Sequence, residues 1–210
     1  MARILVLGAG NVGKAVGLRW LQKGHDVRFG VPDPSKPKYG DLPDDRLQPA
    51  DKLGNAEVVV VTTPHAAATQ AVAALGDLTG RIVIDCTNAI GNGAGGMTWA
   101  PPAEGSAAEQ IAAAAKGAAV FKSLNHTGSE NMEHADSFPQ RPVIFVAGDD
   151  ETKKPLVMQL VADLGFEAID AGPLTAARLL EPLALIWINL AYQPGGSRDF
   201  AFSLAHRKEN

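Results

Sequence analysis

The stretch Arg3–Lys23, RILVLGAGNVGKAVGLRWLQK, decides the fold. An apolar run from Ile4 to Leu7 leads straight into Gly8, Gly10 and Gly13 in G-x-G-x-x-G spacing, and a helical pattern follows from Val12 to Lys23. A strand, a glycine turn and a helix in this order open a dinucleotide-binding βαβ unit. The first glycine allows the tight turn, the second lets the backbone approach a pyrophosphate, and the third allows close packing of helix and strand. Free N–H groups at the helix start, aided by the helix dipole, hold the phosphates. Gly8, Gly10, Asn11, Val12 and Gly13 are therefore candidate cofactor-binding residues.

Working outward, short β-branched runs at Val27–Phe29, Val58–Thr62, Ile82–Asp85, Ala119–Leu124 and Val143–Ala147 alternate with helical stretches at Ala66–Leu75 and Ala107–Lys116. This rhythm predicts an α/β fold, a Rossmann doubly wound, mainly parallel sheet with a small C-terminal helical part. The run VVVVTTP has no polar alternation, as expected of a strand buried on both faces. Ser106 and Glu109 stand at capping-box spacing and mark the start of the third helix. Two segments, residues 31–45 and 88–105, are rich in proline and glycine and read as loops. Toward the C-terminus a further helix, a strand and turn in GFEAIDAGPL, and two helical stretches around Leu179–Tyr192 and Phe200–His206 are expected. The chain divides on this reading into a dinucleotide-binding domain over residues 1–148 and an extension over 149–210 that completes the fold.

A chain of 210 residues with 46% hydrophobic and 20% charged residues buries a core of its own, and its net charge of −4 offers no footprint for nucleic acid. The single cysteine, Cys86, excludes an intramolecular disulfide and gives no metal signature, which points to a reducing cytoplasm. The longest apolar segment near the C-terminus, LALIWINLAY, is ten residues, too short to cross a bilayer, so no membrane partner is expected.

The cofactor is read from the end of the second strand. A dinucleotide fold usually places a ribose-binding acid near Val31, whose side chain accepts no hydrogen bond. Asp33 stands about 20 residues beyond Gly13 and is available to a ribose, whereas Ser35, Lys36 and Lys38 offer a nest for a 2′-phosphate. NADP is the favoured cofactor, with NAD and merely solvated lysines as the competing reading. Ligands in open α/β sheets sit at the carboxyl ends of the strands. Thr62, Thr63, Pro64 and His65, then Asp85–Asn88, then Lys122–His126 with Asn125 all fall there. Thr63, Pro64, Asn88 and Asn125 are placed near the nicotinamide. His65 and His126 are more readily a helix-start residue and a core histidine than proton carriers, and Asp85 is more readily a cap. No residue is assigned as catalytic and no metal is expected.

The segments GAGNVGKAVGLRWLQKGHDV, VVVTTPHAAA, VIDCTNAI, VFKSLNHTG, VAGDDETKK and DAGPLTAARLLEPLA together resemble the coenzyme F420-dependent NADP reductase family, which shares its reductase domain with the STEAP metalloreductases. The resemblance implies a homodimer that passes hydride between NADP(H) and a small-molecule redox acceptor, F420 or a flavin such as FMN. In such transfer the cofactors carry the chemistry and the protein holds two rings in register. The family commonly carries Ser-Arg after the second strand for the 2′-phosphate. This chain has Val31 and Pro32 there, leaving Lys36 as the matching basic residue. Two alternatives stay open: an NADP(H)-binding redox sensor without turnover, and a reductase of a small carbonyl or imine substrate.

Overall fold

The computed structural model describes residues 1–94 and 96–207. In chain order the elements are β1 (Arg3–Leu7), α1 (Asn11–Gln22), β2 (Asp26–Val31), β3 (Leu47–Pro49), β4 (Val58–Val61), α2 (His65–Ala73), β5 (Ile82–Asp85), β6 (Ile90–Gly93), β7 (Gly96–Trp99) and α3 (Ala107–Ala114). There follow β8 (Ala119–Lys122), α4 (Ser129–Glu133), β9 (Val143–Gly148), α5 (Lys154–Asp163), β10 (Glu167–Asp170) and α6 (Ala177–Tyr192). Eight strands form one sheet in the order β10-β9-β8-β5-β4-β1-β2-β3, and β6 pairs with β7 in a separate hairpin. All pairings in the large sheet are parallel except β8 with β9, so β9 and β10 run against the rest. The expected Rossmann α/β fold is thus present.

Strand alternation explains the two layers of helices. Ile4, Val6, Val58, Val60 and Ile84 point to one face, where Val16 and Trp20 of α1 and Val157, Leu160 and Val161 of α5 cover them. Leu5, Leu7, Val59, Val61 and Val83 point to the other, under Ala68 and Val72 of α2 and Ala108 and Ile111 of α3. Both faces of the central strands are apolar because both are buried. Gly17, which the sequence motif does not include, brings α1 onto β2: a Cβ there would stand 2.3 Å from the Phe29 ring.

Several expectations are corrected. The segment 88–105 is not a plain loop but carries the β6–β7 hairpin, in which Ile90 pairs with Trp99 and Asn92 with Met97. Residues 31–45 hold a single-turn helix at Pro37–Tyr39 and lead into another at Asp44–Arg46, after which β3 adds an edge strand. Phe200–His206 forms no helix, and its carbonyls are taken by other elements. Phe200 O accepts from Trp187 Nε1 and Asn131 Nδ2, and Phe202 O accepts from Val143 N. The apolar C-terminal span is also longer than ten residues. Leu174–Tyr192 forms a 19-residue helical run of mean hydropathy 1.4, long and apolar enough by those measures alone to cross a bilayer. Here it packs beside the β6–β7 hairpin and α3, with Glu181 fully buried against Lys122.

Candidate cofactor site

The sheet order reverses between β1 and β4: the chain leaves β1 toward β2 and β3, then returns to the other side of β1. A crevice opens at the carboxyl ends of strands at such a point, and there the structure gathers the glycine turn and the Thr62–His65 segment. Gly8 has φ +107°, a conformation costly for any residue with a Cβ, and that Cβ would also lie 3.0 Å from Thr63 N. Gly13 is still tighter, with its Cβ position 2.1 Å from Gly8 O and 2.7 Å from Thr62 Oγ1. Gly10 is the opposite case: nothing lies within 4 Å of its Cβ position. It occupies the N-cap of α1 without offering a side-chain bond, so the first N–H groups of the helix are left to another partner. Open space over an uncapped helix start fits a pyrophosphate.

Asn11 is exposed at the first position of α1, and Val12 turns its side chain into the core, leaving only its backbone for a ligand. Thr62 is committed to the protein: its hydroxyl donates to Gly8 O at 2.8 Å and braces the glycine turn. Thr63 Oγ1 and His65 Nδ1, at the start of α2, are buried without a hydrogen-bond partner among the described residues. Pro64 is exposed between them. Buried polar atoms are rarely left unpaired, so these two are ready for a group brought by a ligand.

At the end of β2, Val31 is fully buried and takes no part in a ligand site. Asp33 Oδ1 accepts from Ser35 N at 3.1 Å and Ser35 Oγ at 2.7 Å, and these bonds hold its carboxyl below the usual carboxylate range. Ser35 and Lys36 are exposed and line a cavity of about 480 Å³ together with Pro34, Pro37 and Tyr39. Lys14 Nζ ties this loop to α1 through Asp41, at 2.6 Å, and Lys38 O. Lys38 lies over the Tyr39 ring at 4.9 Å and is thereby partly engaged. Lys36 forms no ion pair among the described residues.

The other end of the track lies at β5 and β8. Asn88 Nδ2 donates to Asn125 O, and Asn125 Nδ2 donates to Asn88 Oδ1, each at 2.9 Å, while Asn125 also donates to Leu180 O. Asn125 Oδ1 is buried and unpartnered among the described residues. Leu124, just before it, has φ +57°, the one positive value among described non-glycine residues, and such strain clusters at functional sites. The strand order β2-β1-β4-β5-β8 therefore sets the loop, the glycine turn, Thr63–His65, Asn88 and Asn125 in succession along one sheet edge. At ~4.8 Å between strands the track is about 19 Å long.

Behind Asn88 lies a charged cluster that sequence reading missed. Asp85, Lys122 and Glu181 are all fully buried. Lys122 Nζ donates to Asp85 Oδ2 at 2.8 Å and to Thr87 O, and forms an ion pair with Glu181 Oε1 at 3.2 Å. Glu181 also accepts from Ala107 N, Ala108 N and Ala89 N at 3.2–3.3 Å, so a carboxylate from α6 sits on the N-terminus of α3. The available signals were a lone glutamate in an apolar helix and a lone lysine ending an apolar strand. Each has to find a partner when buried.

His126 is a core residue. Its Nε2 accepts from Phe145 N at 3.2 Å, and burial lowers its pKa to about 4. Burial likewise pushes the Cys86 thiol up, away from the reactive thiolate.

The fold is of the Rossmann type, with a glycine turn at the switch point of the sheet that suits a dinucleotide. Residues 3–89 match the family model of the coenzyme F420-dependent NADP oxidoreductases. A solved protein from Arthrobacter sp. FB24, assigned as an F420-dependent NADP reductase, is 30% identical and superposes with a TM-score of 0.85 over 98% of this chain and 100% of that one. The F420-dependent NADP reductase of Methanocaldococcus jannaschii is 28% identical over 159 residues, covering 72% of this chain and 70% of its own. The chain belongs to the F420-dependent NADP oxidoreductase family. An imine reductase from Aspergillus terreus, 18% identical with a TM-score of 0.67 over 91% of this chain and 63% of its own, shares the fold.

Proposed function

We propose that the protein transfers hydride between NADP(H) and the deazaflavin F420. The observation that carries this reading is the open space over Gly10 at an uncapped helix start, placed at the switch point of the sheet. On this reading the pyrophosphate lies against the N–H groups of Gly10–Gly13, and Ser35 and Lys36 meet the 2′-phosphate. Thr63, Pro64, His65, Asn88 and Asn125 surround the nicotinamide end. Bound NADPH supplies the hydride. The protein's part is to hold the two rings close and parallel and to keep water out, which needs no strong acid or base. The same reading makes the protein a cytoplasmic homodimer whose partner is a small-molecule acceptor, with no nucleic acid or membrane involved.

The test is equilibrium binding of NADPH and NADH, then addition of F420 or FMN while absorbance at about 340 nm follows the oxidation of NADPH. Tight NADPH binding with F420-dependent oxidation supports the reading. Oxidation by FMN alone transfers it to a flavin, and binding without turnover leaves a redox sensor. Lys36→Ala should weaken NADPH about tenfold, the loss of one charge-assisted hydrogen bond, and spare NADH. Equal losses for both would remove Lys36 from the phosphate site.

A further inference from the structure

The backbone on either side of Asn88 is clamped by the three buried charges. Thr87 N donates to Asp85 Oδ1 at 2.8 Å, Thr87 O accepts from Lys122, and Ala89 N donates to Glu181 Oε2 at 3.3 Å. Asn125, which completes the asparagine pair, bonds Leu180 O, the carbonyl next to Glu181 on α6. Lys122 thus hydrogen-bonds Asp85 and Thr87 O and pairs with Glu181, tying α6 to the ends of β5 and β8.

Three charges in a dry core are a poor way to gain stability. Desolvation of buried ions roughly cancels their attraction, and apolar residues of equal volume often do as well or better. What the charges provide is direction: each bond fixes one peptide group at a set distance and angle, which apolar packing does not.

We propose that Asp85, Lys122 and Glu181 are positioning residues that fix Asn88 and Asn125 against the nicotinamide end of the cofactor, coupling the docking of α6 to the register of hydride transfer. This rests on the NADP(H) site proposed above. Asn88 touches the cofactor, and the triad acts through it. Loss of the triad loosens the nicotinamide ring while leaving the pyrophosphate and the 2′-phosphate, about 10–19 Å away along the sheet edge, held as before.

The experiment compares the wild-type protein with Glu181→Gln, well below the unfolding midpoint of each. Three quantities are read: the NADPH dissociation constant, the fluorescence lifetime and anisotropy of the bound reduced nicotinamide, and the single-turnover rate of hydride transfer to F420 at saturating NADPH. The expected result is a dissociation constant within about twofold, a shortened lifetime with lower anisotropy, and transfer slowed by about ten- to a hundredfold, the usual cost of a small misplacement of reacting groups. An unchanged lifetime and rate would overturn the proposal and reduce the triad to a brace for α6. A dissociation constant that rises in step with the rate loss would also overturn it, as general collapse of the site. Should Glu181→Gln not fold, the volume-matched Asp85→Asn, Lys122→Met, Glu181→Gln variant leaves no lone buried charge and gives the same readouts. If that variant also fails to fold, positioning is not separable from folding and the proposal falls. A wild-type protein that binds NADPH but reduces no acceptor sinks the F420 reading alone, because the fluorescence arm still judges the triad. No NADPH binding at all sinks both.

Discussion

The three glycines of the turn answer to different constraints, and single substitutions separate them. Gly13→Ala forces a carbon to 2.1 Å from Gly8 O, so the turn has to shift. It should cost about 1–3 kcal/mol in urea unfolding, the range for overpacking a tight site. Gly10→Val meets open space and should cost no more than about 1 kcal/mol as a poorer N-cap, while NADPH binding falls more than about tenfold because the side chain fills the pyrophosphate's place. Normal NADPH affinity in Gly10→Val would remove the cofactor from this turn. His126 gives a prediction in pH. Its folded pKa of about 4 lies below the ordinary 6.5, so the folded state binds fewer protons between these values. The stability it contributes is complete above about pH 6.5 and is lost as pH falls to about 4. Unfolding free energy measured from pH 7 to pH 4 should fall more steeply for wild type than for His126→Asn. Parallel curves would show that His126 does not titrate in this window.

Among the elements, α3 shows how a local signal and a distant one share a helix start. Ser106 Oγ accepts from Glu109 N at 3.2 Å and donates to Glu109 Oε2 at 2.7 Å, and Arg178 of α6 holds the same carboxylate. Ser106→Ala should destabilise the protein by about 1 kcal/mol, read as a lower urea midpoint at unchanged slope. A loss near zero would mean that Glu181 alone satisfies this helix start. The capping box was legible from two residues three apart, whereas Glu181, more than seventy residues away, was not. The hairpin was missed for a different reason: its pairing is local, Ile90 with Trp99 and Gly93 with Gly96, but Gly91, Gly93 and Gly96 suppress the strand propensity that would announce it. The non-helical tail from Phe200 offers its carbonyls to Trp187, Asn131 and Val143, contacts that no local pattern records.

At the scale of the molecule, α6 carries an apolar stripe that faces outward. Leu179, Ile186 and Leu190 are 74%, 53% and 42% exposed at helical spacing, with half-buried Leu183 between them. Met97 of the hairpin, which packs beside α6, is 46% exposed. An apolar stripe of this kind on a folded chain is a candidate interaction surface, and it is where we place the contact of the proposed homodimer. Sedimentation should report a dimer for the wild-type protein. Ile186→Glu combined with Leu190→Lys should give a monomer with an unchanged far-ultraviolet spectrum, since both side chains lie outside the core. A wild-type monomer at micromolar concentration would leave the stripe to some other partner.

The sequence by itself determined the succession of the central strands and their crossover helices, from β1 and α1 to β5, α3 and β8, and the glycine turn after β1. Those features rest on local patterns: strand-length apolar runs from Ile4 to Leu7 and Val58 to Val61, and glycines at fixed offsets. Only the tertiary structure decided that Thr62 braces Gly8, that Gly17 seats α1 on Phe29, and that Asp85, Lys122 and Glu181 meet. The physical reason is distance along the chain. Charges 37 and 59 residues apart carry no mark of each other in composition or spacing, and folding alone removes the water that would otherwise keep them independent.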